Sequence, residues 1–117
     1  MTEGLPRPTP PPEQALASIL GLASRARGLV HGTDMTRKAV REGEVRAVLL
    51  AGDASATQSQ KLVPLLQARG IPFHVCLSRE ALGFAIGRGP VSAVGITNDS
   101  FAKRVAVLAA ALSSPQG

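Results

Sequence analysis

Twelve residues, Gly32 to Gly43, read GTDMTRKAVREG and bring a turn, a helix start and a dense group of cations into one short stretch. Gly32 can take the positive φ that a sharp strand-to-helix turn requires. Thr33 can cap the first free N–H groups, and Gly43 can end the helix in the left-handed conformation. At about 100° per residue, Asp34, Arg37, Lys38 and Arg41 share one face of this helix, and Met35, Thr36, Ala39 and Val40 share the other. The first face is left for solvent or a partner, and the second packs. Cations beside a helix N-terminus, whose N–H groups and dipole attract anions, form a candidate phosphate site. An ordinary surface helix also carries a charged outer face, so this stretch alone leaves both readings open.

Composition narrows the chemistry. A chain of 117 residues is one domain by length and can build a core without disulfides or a metal. Apolar residues make up 44% of it, but aromatics only 3%, with no Trp and no Tyr. The core must come from Leu, Val, Ile and Ala, and base stacking on aromatic platforms is nearly excluded. Thirteen Lys and Arg against eight Asp and Glu give a net charge of +5 and favour acidic partners, nucleic acid being the commonest. The single cysteine, Cys76, sits in the apolar run PFHVCL and reads as a buried thiol in a reducing cytoplasm. No apolar signal core and no run of membrane-spanning length is present in the sequence, so a cytoplasmic location is expected.

The elements that must position the cations can be read in order. Residues 1–12 hold five of the nine prolines and are expected to form an extended tail ahead of a single domain over 13–112, with a short tail at 113–117. Glu13 to Arg27 has Leu16, Ile19, Leu20 and Ala23 at helical spacing, with Gly28 as its stop. Leu29 to His31 is a short strand feeding the Gly32 turn. Val45 to Ala51 is apolar nearly throughout and reads as a central strand covered on both faces. Asp53 and Ser55 are candidate caps for a helix over Gln58 to Arg69, with Pro64 expected to bend or break it. Ile71 to Leu77 is expected to be a third buried strand, and Ser78 caps a helix through Ile86. The loop Gly87 to Pro90 precedes the strand Val91 to Thr97, and Ser100 to Leu112 forms the last helix. Alternating strands and helices with short connections predict an α/β fold, a three-layer α/β/α sandwich around a four-stranded mixed sheet.

Several chemistries lack their residues. The first strand is followed by GTD rather than G-x-G-x-x-G, and no G-x-x-x-x-G-K-[ST] occurs. There is no paired-histidine helix and no cluster of Cys or His, so neither a nucleotide hydrolase nor a metal site is supported, and no cofactor is expected. Asp34, Asp53, Glu80 and Asp99 each precede or begin a helix, where dipole and capping explain them without acid–base roles. His31 and His74 read as packed strand residues.

From Ile19, the run ILGLASRARGLVHGTDMTRKAVREGEVRAVLLAGDAS, then IPFHVCLSREALGFAIG and the strand VSAVGIT, resemble the kink-turn RNA-binding ribosomal protein family, the L-seven-Ae and L-thirty-e superfamily, and especially its small bacterial members. The resemblance covers roughly residues 16–108. It implies the same α/β/α sandwich and recognition of a sharply bent RNA internal loop by the turn at the second helix and the loop before the last strand. The family pattern at the turn is Gly-x-Asn-Glu-x-x-Lys, and Gly32, Asp34, Met35 and Lys38 stand at those places. Gly and Lys match. Asp34 keeps the shape of Asn without its donor, and Met35 offers no hydrogen bond. The family's apolar loop tip corresponds to Arg88, Gly89, Pro90 and Val91, where Pro90 and Val91 could touch an extruded base and Arg88 a phosphate.

Residues and resemblance together predict a non-enzymatic, monomeric protein that binds structured, kink-turn-like RNA, ribosomal or ribosome-associated. Gly32 and Thr33 would allow close backbone approach, Arg37, Lys38, Arg41 and Arg88 would supply charge, and Asp34, next to Met35 in the turn, would carry the remaining base selectivity. The competing expectation is a protein-interaction adaptor of the same fold, which should expose an apolar patch.

Overall fold

Two strands buried at every position organise the molecule, β2 (Ala47–Leu50) and β4 (Ala93–Ile96). Runs of aliphatic residues without polar alternation suit the middle of a sheet covered on both faces. In the computed structural model, which describes residues 11–112, these two strands pair antiparallel, Ala47 opposite Ile96 and Leu50 opposite Ala93. β1 (Leu29–His31) joins the outer side of β4 antiparallel, and β3 (Phe73–Val75) joins β2 parallel. The order is therefore β1-β4-β2-β3, a four-stranded mixed sheet. The tails expected at 1–12 and 113–117 lie outside the described residues, apart from Pro11 and Pro12.

Five helices close the two faces: α1 (Pro12–Arg25), α2 (Thr33–Arg41), α3 (Ala56–Arg69), α4 (Arg79–Ala85) and α5 (Asp99–Leu112). Leu16 and Leu20 of α1, Leu82 of α4 and Val105 of α5 pack with Leu49 and Val94 on one face. Val40 of α2 and Leu62 and Leu66 of α3 pack with Val48 and Leu50 on the other. The alternation of β2 side chains thus feeds two cores, and the predicted α/β/α sandwich is the fold observed. Gly95 lets α2 lie close on the sheet, since a Cβ there would stand 3.1 Å from the Thr36 methyl and 3.2 Å from Val30.

Four expectations about elements are corrected. The stretch from Ile71 to Leu77 is not a buried strand: only three residues pair, they have a neighbour on one side only, and Val75 is 52% exposed. Pro64 neither breaks nor ends α3, which runs unbroken through it. Its ring lies on the exposed side, where solvent can satisfy the carbonyl that a missing N–H leaves free. Asp53 does not cap α3, because Ser55 holds that place and accepts from the Gln58 N–H at 3.2 Å. The left-handed residue that ends α1 is Arg27, with φ 59°, and not Gly28.

Gly28 is needed where a Cβ would press on Phe101 at 3.1 Å and on Asn98 at 3.3 Å, so its missing side chain serves the packing of α5. That leaves an L-residue in the left-handed turn one position earlier, where the Arg27 N–H donates to the Ser24 carbonyl and the Gly28 N–H to the Ala23 carbonyl. An L-side chain in this conformation costs about 1–2 kcal/mol. Arg27→Gly is therefore expected to raise the unfolding free energy by about 1 kcal/mol, read as a higher urea midpoint at unchanged slope.

Candidate nucleic-acid interface

The backbone ties four loops together at one end of the sheet. The Gly32 N–H donates to the Ala93 carbonyl at 2.9 Å, the Ala51 N–H to the Ser92 carbonyl at 2.9 Å, and the Gly52 N–H to the Leu77 carbonyl at 2.8 Å. The segments leaving β1, β2 and β3 and the segment entering β4 therefore meet there. α2, α3 and α4 all begin at this end, so three positive dipole ends face the same region.

The three helix starts differ in how they are satisfied. Ser55 caps α3, and Ser78 caps α4 by accepting from the Ala81 N–H at 3.0 Å. Asp53 adds to the start of α4: its Oδ1 accepts from the Arg79 N–H at 2.8 Å, and its Oδ2 lies 3.7 Å from Arg79 Nε. α2 alone of these three has no side-chain cap. Its N-cap is Gly32, at φ 90° and ψ 150°, which has no side chain to offer, so its first N–H groups are left for a ligand or solvent. The expectation that Thr33 caps the helix is thereby corrected. Thr33 is the first helical residue and is buried against the fold.

The loop that faces this turn is pinned to α4. The Arg88 N–H donates to the Gly83 carbonyl at 2.7 Å and the Val91 N–H to the Arg79 carbonyl at 3.1 Å. Gly87, at φ 74°, makes the turn, and a Cβ on Gly83 would overlap the Gly89 carbonyl oxygen. Arg88, Gly89 and Pro90 are exposed, whereas Val91 is half-buried and packs against the α1–α4–α5 core. Ala93, which holds Gly32, lies two residues beyond Val91. The turn and the loop are thus neighbours across the end of β4.

The candidate residues are brought together unequally. Gly32, Thr33, Asp34 and Met35 lie at the turn, close to the entry of the 88–91 loop into β4. Helical spacing puts Met35 on the packed face, yet it is 55% exposed, beside the edge strand β1. There it lines a hollow of about 200 Å³ with Leu29, Val30 and His31. Lys38 is exposed one turn further along, and Arg37 is half-buried, with its Nε buried and unpartnered in the protein. Arg41 is exposed in the last turn, about 12 Å along the axis from Thr33. Its end of the helix meets another cation, since Arg69 Nη1 donates to the Val40 carbonyl at 3.3 Å and the Arg41 carbonyl at 3.4 Å.

Two cations near this end escaped the sequence reading. Lys61 Nζ of α3 stands 3.9 Å from Asp34 Oδ1, an exposed pair that offsets a carboxylate beside the turn. Only the packing of α3 beside α2 brings them together. Arg79 left a signal: it is a cation in the first turn of a helix, where the dipole disfavours it, and Asp53 compensates. Among the described residues no group of three or more His, Cys, Asp or Glu gathers. Burial pushes the Cys76 thiol up to about 11, so it stays protonated at neutral pH.

An α/β/α sandwich with a glycine-hinged, uncapped helix start beside a pinned loop defines the class of this protein. The chain belongs to the Ribosomal protein L7Ae/L30e/S12e/Gadd45 family, which it matches over residues 14–106. It is 34% identical over 87 residues to RNA-binding protein YlxQ of Bacillus subtilis (strain 168), covering 74% of this chain and 87% of that one. It is 29% identical over 91 residues to RNA-binding protein YlxQ of Enterococcus faecium, covering 78% and 87%. A Bacillus halodurans structure, described as a protein with unknown function, superposes with a TM-score of 0.78 at 36% identity, over 81% of this chain and 96% of that one. The Giardia lamblia 15.5kD RNA binding protein superposes with a TM-score of 0.71 at 21% identity, over 92% of each chain, a likeness of fold.

Proposed function

We propose that this chain is a non-enzymatic, cytoplasmic protein that binds structured RNA of the kink-turn class as a monomer, in ribosomal or other folded RNA, through the sheet end that holds the Gly32 turn and the Arg88–Val91 loop. The observation that carries the reading is the uncapped α2 N-terminus, with free N–H groups and an exposed lysine, set next to a loop with an exposed arginine. A bent RNA presents phosphates and unstacked bases within one such span. Relatives 34% identical over 87 residues and 29% over 91 carry RNA-binding names, which agrees with this. Among the described residues no helix is long and apolar enough to cross a membrane.

The residues divide the work by position. Lys38, Arg37 and Arg88 supply charge to the phosphates, and Lys61 keeps the Asp34 carboxylate from repelling them. Asp34 accepts from a base amine at the turn. Met35 offers a soft apolar contact in the place where the family pattern has a hydrogen-bonding Glu. Pro90 supplies the exposed apolar tip of the loop. Lys38→Ala and Arg37→Ala are each expected to weaken binding by about 1 kcal/mol, roughly fivefold, with a smaller effect from Arg41→Ala. Gel shifts over a salt series, with a kink-turn RNA and an unbent duplex of the same length, read this directly. Unchanged affinity in the Lys38→Ala/Arg37→Ala double variant removes the helix from the site, and equal affinity for the two RNAs removes the kink-turn class.

A further inference from the structure

The layer of α1, α4 and α5 turns apolar side chains outward, with Arg25 and Arg104 beside them. α1 carries no charge from Gln14 to Ser24 and α5 none from Val105 to Leu112, in a chain where 18% of residues are charged. Phe84 is 84% exposed, Val107 72% and Leu22 43%. Exposed large side chains cost apolar hydration, and three of them across adjacent helices form a patch of the sort that marks contact surfaces. Two grooves run beside α1: one of about 730 Å³ against α5, lined by Ser18, Leu22 and Val107, and one of about 460 Å³ against α4, lined by Gly21, Leu22 and Phe84. Leu22 and Ser18 belong to both, so the two grooves flank the same ridge of α1.

We propose that this face docks an amphipathic helix of another protein, with an apolar stripe seated in the two grooves and carboxylates along its flank. Shape points to a helix, because grooves between parallel ridges accept the ridges of a further helix, with exposed aromatics as anchors. Charge points to an acidic one. Arg25 lines the groove beside α4, Arg104 lines the groove beside α5, and neither is ion-paired among the described residues. A second copy of this chain fits less well, since it brings the same arginines and a further +5 charge, and its α1 has Glu13 as its only carboxylate. Of the RNA site, the Gly32 turn lies on the opposite layer of the sheet, and the Arg88–Val91 loop adjoins the docking face through α4.

The test uses the full chain, labelled with nitrogen-15, and two stapled amphipathic peptides of about four turns, one flanked by Glu and one by Lys. The Glu peptide is expected to shift the amides of Ser18, Leu22, Phe84 and Val107. Phe84→Ser, Val107→Ser and the Arg25→Glu/Arg104→Glu pair should each weaken it about tenfold, and the Lys peptide should bind at least that much more weakly. Shifts confined to other surfaces, or equal binding of the two peptides, overturn the proposal. So does sedimentation of the unliganded protein as a dimer that Phe84→Ser dissociates, since a second copy would then own the face. Shifts at Leu22 and Val107 on adding kink-turn RNA would make it an RNA surface and overturn it as well.

Discussion

Gly83→Ala is expected to lower the unfolding free energy by about 1–3 kcal/mol and to free the 87–91 loop from α4. Helix propensity alone predicts the reverse, because Ala is favoured over Gly in a helix by about 1 kcal/mol. Sterics decide against it. The added methyl would overlap the Gly89 carbonyl oxygen and stand 2.6 Å from the Gly89 carbonyl carbon and 3.1 Å from the Arg88 oxygen, all of them backbone atoms. α4 cannot retreat, since Leu82 is fully buried and Ile86 nearly so. The loop must move, and its bond from the Arg88 N–H to the Gly83 carbonyl is lost with it. Urea unfolding should show the lower midpoint, amide spectra should show shifts at Arg88 to Val91, and RNA affinity should fall. A variant as stable as the parent, with unshifted loop amides, would show that the close approach is not a constraint.

Gly32→Ala should have an effect of similar size for a different reason. Nothing lies within 4 Å of a Cβ at this position, so no clash is created. The backbone there, at φ 90° and ψ 150°, belongs to a region that only glycine enters readily, and forcing another residue into it costs about 1–3 kcal/mol. The cheapest relief rotates the turn, lengthens the 2.9 Å bond from the Gly32 N–H to the Ala93 carbonyl, and re-aims the free N–H groups of α2. Stability and RNA affinity should therefore fall together. Gly43→Ala is the control: it has a comparable φ of 75° and equally open space, at the opposite end of α2. It should lose stability with little change in RNA binding. Equal losses of affinity in the two variants would dissociate the Gly32 turn from recognition.

An adaptor should expose an apolar patch and self-associate, and an RNA binder should carry a positive surface around the turn; the two features can coexist. Leu22, Phe84 and Val107 are exposed on α1, α4 and α5, and Arg37, Lys38 and Lys61 lie near the α2 start on the other layer. Nothing physical forces a choice, because the α2 start and the groove between α1 and α5 lie on different faces of the sheet, with the Arg88–Val91 loop adjoining α4.

Local rules already present in the chain settle the elements. VLL and AVGI lack alternation and so fall in the middle of the sheet, Ser55 and Ser78 cap the helices they precede, and Gly43 closes α2 through its N–H to the Val40 carbonyl. Ordered family likeness over the same stretch pointed to the fold as well. Whatever depends on contacts between distant segments was hidden. Which glycine takes a left-handed turn and which makes room for a neighbour cannot be told from Arg27-Gly28 alone, because Phe101 and Asn98 decide it. Helical spacing puts Met35 with the packed residues, but it lies exposed beside β1, the edge strand of the sheet. Asp34 meets Lys61, and Asp53 leaves its own helix to hold Arg79, only once α2, α3 and α4 are set side by side. Periodicity and capping act over a few residues and are written in the chain. Room, edge position and charge pairing act across the fold and exist only after it has formed.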